Sequence, residues 1–452
     1  MLWNVRSVLK SSVLGVGLLA LFALDVQGRT NAHAQEAKGL LAGAAKREIT
    51  PQEPVPMWGY GARHADLSTG TMDPLLATAL VIESKGVKVA IVGTDLGRAP
   101  VEVSLQRIRT AIRDQAGIDV SLIAGSHTHH GPVLELTDRP GRGKGRFDSA
   151  VRYGQYLEQQ IIETILEADR ALEPVSIQVG STELDNFNRN RHSKREPVPV
   201  DRTLSVLRLM AVNEDRTVAT LFNFAAHPTS LPTEKYEFSA DFVGGAREVI
   251  EKELGGIAVF MQGAAGDLST NRGPFGDYMD YGKALGKKVV ALAQTLEPNP
   301  IKVPTIQSHE QQFHFESRTN FKNPLVQGAY SVAFFPELVT NFIDEYKDGI
   351  KPRLTVVTIH RDIAFVGVSG EFFCQHAIRL RERSRVAHLF FFGYCNGYHQ
   401  YFPTIEAADE GGYGADTLVA PAELGSGETM MNQALIELYE LRSKVGTTTK
   451  KP

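Results

Sequence analysis

The chain of 452 residues is 42% hydrophobic and 22% charged, with a formal net charge of −4. That composition fits a globular protein with a sizeable core, and the length fits one large domain or two to three ordinary ones. It holds no basic stripe suited to nucleic acid and no charge run that reads as a tail. Its only cysteines are Cys374 and Cys395, which excludes a disulfide-stapled scaffold and a cysteine-based structural zinc site. The sequence leaves open whether the two pair.

Taken in chain order, the first segment reads as an address rather than as fold. Arg6 and Lys10 precede twelve apolar or small residues, 13–24, and Ala32-His33-Ala34 offers a cleavage site. Residues 1–34 are therefore expected to be a signal peptide, with an uncleaved anchor as the rival reading, and the protein is expected to be secreted or periplasmic. Cleavage after Ala34 would take the formal charge from −4 to −6. Strands are expected at 75–82 and 87–92, paired across Ser84-Lys85-Gly86, then at 120–124, 204–209, 218–224, 257–261 and 389–392. A further hairpin is expected from 354–360 and 363–368. Apolar residues at helical spacing predict helices over 101–112, 153–172, 241–254, 281–296, 371–383 and 430–441. Residues 302–338 give no clear pattern, 140–146 read as an exposed Gly-rich basic loop, and 443–452 read as a frayed polar tail. The expected fold is α/β: one large mixed-sheet domain over 35–442, flanked by helices.

Five expected strands run straight into polar clusters. Gly125-Ser126-His127-Thr128-His129-His130-Gly131-Pro132 follows the run 118–124. If that segment is extended, His127 and His129 project to one side, a geometry suited to a metal ligand with a second catalytic nitrogen beside it. The other clusters are His227-Pro228-Thr229-Ser230, Gly263-Ala264-Ala265-Gly266-Asp267-Leu268-Ser269, Ser369-Gly370-Glu371, and Tyr394 to Tyr401. Sites in open α/β sheets collect beyond strand ends, where loops converge, so five such clusters predict one shared site there.

Together these motifs resemble the neutral ceramidase family of exported, zinc-dependent N-acyl hydrolases. The carrying segments are His127-Thr128-His129-His130-Gly131-Pro132, Asn223-Phe224-Ala225-Ala226-His227-Pro228-Thr229-Ser230, Gly266-Asp267-Leu268-Ser269-Thr270-Asn271, Asn188-Arg189-Asn190-Arg191, Gly370-Glu371, and Asn396, Tyr398, Tyr401 and Tyr413. The resemblance runs from about Leu40 to about Pro421 and keeps the family's order and spacing. It implies a single zinc ion held by His127, His227, Glu371 and Tyr401, a set of nitrogen and oxygen donors that leaves room for water. It further implies that His129, Arg191 and Tyr413 protonate the leaving nitrogen, stabilise the oxyanion or contact the substrate. His129 as a third metal ligand and Arg189 in place of Arg191 are the alternatives.

Read from the residues alone, Glu371 is better explained as an acidic helix start and Tyr401 as a half-buried aromatic than as ligands. The chain departs from the family at His130, where Ser is usual, and at Thr270 and Ser369, where Pro is usual. Too few residues follow Tyr413 for the immunoglobulin-like domain typical of the family, so weaker engagement of membranes is expected. The expected activity is hydrolysis of the N-acyl bond of ceramide or a related lipid by metal-activated water, with at most peripheral membrane contact and no nucleic-acid partner. Rival readings are a zinc hydrolase of another amide or ester, a non-catalytic binding protein on the same scaffold, and a serine hydrolase using Ser269.

Overall fold

The computed structural model describes residues 39–63, 65–136, 147–212, 214–299 and 304–443. The expected signal peptide, the basic loop and the tail past Ser443 lie outside the described residues. From Leu40 onward the chain forms one compact unit.

Eight strands form the main sheet: β1 (Leu41–Glu48), β2 (Leu76–Ser84), β3 (Val87–Thr94), β4 (Val120–Gly125), β5 (Glu173–Glu183), β6 (Thr203–Ala211), β7 (Thr217–Phe224) and β8 (Ile257–Gln262). Their spatial order is β8-β7-β6-β5-β1-β2-β3-β4. A four-stranded sheet follows, ordered β9 (Ile306–Gln312), β10 (Arg353–Ile359), β11 (Ile363–Val368) and β12 (His388–Phe392). The helices are α1 (Glu102–Ala116), α2 (Asp148–Arg170), α3 (Phe242–Leu254), α4 (Tyr278–Ala293), α5 (Pro324–Ala333), α6 (Pro336–Tyr346), α7 (Cys374–Ser384), α8 (Ile405–Glu410) and α9 (Ser426–Ser443).

Within these two sheets most neighbouring strands run antiparallel, but three pairs are parallel: β3 with β4, β7 with β8, and β11 with β12. Parallel neighbours need a crossover, and α1, α3 and α7 supply one each. Apart from β1, β5 and β9, these strands are buried on both faces, which explains their near-continuous apolar runs. Along β3, Val89 and Ile91 face the core shared with Val357, Phe365 and Phe390 of the second sheet. Ala90 and Val92 face the opposite core, with Leu105 and Ile108 of α1 and Leu157 and Ile161 of α2. A third core joins α3 and α4 to β6–β8 through Val206, Phe222, Ile250 and Leu285. Each such side chain contributes about 1.5–3 kcal/mol on burial. The main sheet curls until β8 lies against β3: a Cβ at Gly93 would sit 2.2 Å from the Phe260 carbonyl oxygen, so only glycine fits.

The fold class, mixed sheets with flanking helices, is the one the sequence predicts, and the hairpins at 84–87 and 359–363 are present, while β1 and β5 were not read from the sequence. Other details correct that reading or complete it. Glu371 does not begin a helix: Glu371–Phe372 is extended and pairs in parallel with Tyr401–Phe402, and α7 starts at Cys374. The Glu371 N–H donates to the Gln400 carbonyl at 2.8 Å, which holds the residue in that extended pairing. His127 is not extended, since its φ is +71°. The unreadable stretch 302–338 contains β9, α5 and the start of α6. Cys374 and Cys395 are both buried and unpaired.

Candidate metal centre

The three parallel strand pairs point at one place. His127 follows β4, His227 follows β7, Glu371 follows β11, and Tyr401 lies beyond β12. Their reactive atoms converge. His127 Nε2 lies 3.0 Å from His227 Nε2, and Glu371 Oε2 lies 3.3 Å and 3.2 Å from the two nitrogens. All three side chains are buried.

The hydrogen bonds behind the rings set their tautomers. His127 Nδ1 faces the Gly97 carbonyl at 2.7 Å, and His227 Nδ1 faces the Ala265 carbonyl at 2.6 Å. A carbonyl only accepts, so each Nδ1 carries a proton, and Nε2 is the atom each ring turns toward the cluster, with a lone pair when the ring is neutral. Burial first, then the charges of Arg191 and His127, push the His227 pKa down to about 3, which keeps that ring neutral. Burial alone would raise the Glu371 pKa, yet the flanking His127 and His227 rings, which donate to it when protonated, hold its carboxyl well below the usual range. Two imidazole Nε2 atoms and a carboxylate oxygen thus face one another in a buried space, and a cation, a proton or a metal ion, is what such a donor set accommodates. A histidine nitrogen backed by a carbonyl is also the usual support of a metal ligand.

The left-handed backbone at His127 corrects the expectation of a strand that projects His127 and His129 side by side. The rings meet nonetheless, with His129 Nε2 3.4 Å from His127 Nε2. His129 differs from its neighbours: its Nδ1 is buried and has no hydrogen-bond partner among the described residues. Burial holds its pKa well below the ordinary value, and the neighbouring histidines add to that. His127, His129 and His227 lie close enough together to hold an ion as a group.

Arg191 reaches this cluster and Arg189 does not. Arg191 Nη2 donates to His227 Nε2 at 3.0 Å, to the Gly266 carbonyl at 3.0 Å and to Tyr401 Oη at 3.1 Å. Arg189 pairs through its backbone with Ser269. Neither nitrogen of His227 is turned toward Ser269, because one serves Ala265 and the other His127. Asp267, from the same Gly-rich turn, acts as a clip. Its carboxylate accepts from Cys374 N at 2.7 Å and Asn190 Nδ2 at 2.8 Å, and its carbonyl accepts from Arg191 N at 2.8 Å. It thereby ties the Arg191 loop to the turn after Glu371. Tyr413 is 67% exposed, with its ring centroid 5.6 Å from that of Tyr401. Tyr401 itself is buried, and burial and then Glu371 raise its phenol pKa well above the usual value.

Sequence reasoning assigned no role to several residues here. Tyr398 donates to Glu371 Oε1 at 2.5 Å and fixes the carboxylate. Trp58 stands edge-on to His127, His129 and Tyr398, at centroid distances of 4.9, 5.4 and 5.6 Å, and donates from Nε1 to Glu135 at 3.2 Å. The one available signal was a tryptophan in a Pro- and Gly-rich loop. A cavity of about 230 Å³ opens beside His129, Glu371, Tyr398 and Tyr401. Its apolar wall includes Phe334, Phe335, Leu338 and Phe342 from the end of α5 through α6, in and next to the stretch whose sequence was unreadable.

A mixed α/β fold with histidine, carboxylate and phenol groups gathered beside an apolar cavity defines a class of protein, and comparison with known proteins agrees with it. The chain belongs to the neutral/alkaline non-lysosomal ceramidase family, whose N-terminal region matches residues 40–287. The neutral ceramidase of Pseudomonas aeruginosa is 28% identical over 282 residues, which cover 56% of this chain and 41% of that protein. The match therefore spans less than half the length of this relative. Among solved structures, a ceramidase complexed with C2 superposes with a TM-score of 0.71 at 19% identity, over 92% of this chain and 77% of the other. The crystal structure of the P. aeruginosa neutral ceramidase gives 0.70 at 20% identity, over 92% and 76%. Glu371, Tyr401 and Tyr413 lie outside the family-matched segment.

Proposed function

We propose that the protein is an exported, zinc-dependent hydrolase that cleaves the N-acyl bond of ceramide or a related N-acyl lipid. The observation that carries this reading is the convergence of the His127 and His227 Nε2 atoms and the Glu371 oxygen, within 3.0–3.3 Å of one another, beside an apolar cavity. His127, His227 and Glu371 would hold one zinc ion, with the Tyr401 phenol completing the set. When bound, the ion supplies Lewis acidity and lowers the pKa of water into the neutral range. Burial and Glu371 keep the Tyr401 phenol protonated in the absence of a cation, so its oxygen joins the set only against that charge.

The remaining residues act on the substrate. The apolar wall from Phe334 to Phe342 takes the acyl chain, which sets the amide carbonyl beside Glu371 and His129. Arg191 stands where negative charge develops on the carbonyl oxygen, and Tyr413 closes the exposed side. His129, neutral at rest, takes a proton from the attacking water and passes it to the leaving nitrogen, and its Nδ1, without a partner among the described residues, has no competing hydrogen bond.

A second ligand assignment has its own support: His129 lies within reach of the same ion as His127 and His227. Under it, His129 binds metal instead of moving a proton. The test is hydrolysis of a detergent-dispersed short-chain ceramide, with and without chelator, alongside metal analysis of His129→Ala. Chelator-sensitive release of sphingosine and fatty acid, with metal retained in the variant, supports the reading. Undiminished turnover without metal refutes zinc dependence. Turnover of esters alone would move the substrate elsewhere, and a metal-free His129→Ala would move that residue among the ligands.

A further inference from the structure

The segment from Trp58 to Arg63 encloses His129, although none of its residues belongs to the motifs discussed above. The Tyr60 ring lies 4.6 Å from the His129 ring, centroid to centroid, and Trp58 lies on another side at 5.4 Å. Gly59 passes so close that a Cβ there would sit 2.5 Å from His129 Cγ.

Arg63 completes the enclosure. It is 1% exposed, and its donors face carbonyl oxygens rather than a carboxylate. Nη1 donates to the His129 carbonyl at 2.6 Å, Nε to the Thr233 carbonyl at 2.9 Å, and Nη2 to the Lys235 carbonyl at 2.8 Å. Nη2 also lies 2.6 Å from Nε2 of His130, the residue that stands where the ceramidase motif usually has serine. The guanidinium carbon sits 4.8 Å from the centre of the Tyr60 ring. Burying an arginine without an acid is costly, and burial pulls its pKa down to about 10. A fork with several fixed donors repays that cost in geometry, because one rigid plane pins several loops at once. Here the pinned loops are 129–130 and 233–235, and the first carries His129.

We infer that Arg63, with His130 as its acceptor, is a positioning residue that fixes His129 for proton transfer. The inference rests on the proposed role of His129. Arg63 does not touch the cavity or the proposed metal ligands. It acts through the main-chain carbonyl of His129, while the Trp58 and Tyr60 rings hold the side chain. A neutral His130 suits the arrangement, since Nε2 then accepts from Arg63; the same pairing asks for an acceptor of similar reach if His130 is replaced.

The test compares Arg63→Met, Arg63→Lys, His130→Leu and His130→Gln with wild type, on detergent-dispersed short-chain ceramide, with bound metal measured in each. Displacing a proton-transfer group by about 1 Å costs on the order of a hundredfold in rate, so Arg63→Met is expected to lose kcat on that scale. KM and metal content should stay near wild type. His130→Gln, whose amide oxygen can accept, should recover most of the turnover lost in His130→Leu. A crystal structure of Arg63→Met should show the His129 ring displaced. Wild-type kcat in Arg63→Met, equal turnover in the two His130 variants, a loss confined to KM, or an unmoved His129 ring overturns the inference. Should Arg63→Met fail to fold, the His130 pair decides. His129→Ala is the control: if it keeps full kcat, the role of His129 fails, and the positioning inference fails with it. If only the positioning variants keep kcat, the role of His129 stands and the positioning inference alone falls.

Discussion

Gly59→Ala puts the packing around His129 to a quantitative test. Gly59 has φ of +104°, a conformation that residues with a Cβ rarely adopt. The new Cβ would lie 2.5 Å from His129 Cγ and 2.7 Å from Nδ1. Ordinary contact begins near 3.4 Å, so the ring or the loop must yield by about 0.9 Å. The backbone strain should lower stability by about 1–2 kcal/mol, which a protein of this size survives folded. The ring displacement should lower kcat on the order of a hundredfold, the scale expected of a 1 Å misplacement of a reacting group. Metal content should not change, because the three atoms nearest the added Cβ all belong to His129. The assay is kcat and KM on a dispersed short-chain ceramide, with metal analysis and a melting curve on the same preparation. A folded, metal-replete Gly59→Ala enzyme with wild-type kcat would refute the reasoning that the position of His129 sets the rate. Loss of metal in that variant would place His129 among the ligands.

Other expectations concern separate parts of the molecule. His127→Ala and His227→Ala should each lose most of the zinc, measured by elemental analysis after dialysis, since each removes one of two facing nitrogens; full occupancy in both would overturn the ligand assignment. Ser269→Ala should keep measurable turnover, because the histidine nitrogens nearest the turn are committed elsewhere; labelling of Ser269 by a serine-directed reagent, with total loss in the variant, would reverse this. Glu310 joins β9 to Arg109 of α1 and Arg353 of β10, and those arginines outweigh burial to hold its pKa down to about 2. A carboxylate depressed in the folded state stabilises above its unfolded pKa of 4.5 and loses that contribution as pH falls toward 2. After allowance for partial exposure, Glu310→Gln should cost about 2 kcal/mol at pH 7, with the difference shrinking steadily below pH 4.5 in melting curves. A gap that does not change with pH would show that the ion pairs are not its source.

The residues along the chain determined the fold class and most of the elements. Two-sided burial makes β4, β7, β8, β11 and β12 continuous apolar runs, and local alternation or helical spacing is legible without knowing any partner. The polar clusters after those strands were legible for the same reason, since a strand buried on both faces must put its chemistry at its end. The resemblance of those clusters to the ceramidase family named His127, His227, Glu371 and Tyr401 as a group; spacing alone did not. Tertiary structure decided what depends on distant pairs. Glu371 reads locally as a helix start but is extended because the chain at Gln400 and Tyr401 pairs with it. Arg191, and not Arg189, reaches the cluster, because residues 188–190 pair with 268–270 and the chain then turns inward on Asp267. The apolar wall built from α5 and α6 was invisible because its spacing serves a cavity rather than a flat core. The grip of Trp58, Gly59, Tyr60 and Arg63 on His129 joins residues some seventy positions apart in the chain through carbonyls and ring faces. Such contacts leave no periodic trace in a sequence, because any residue supplies a carbonyl and only the folded chain determines which one an arginine meets.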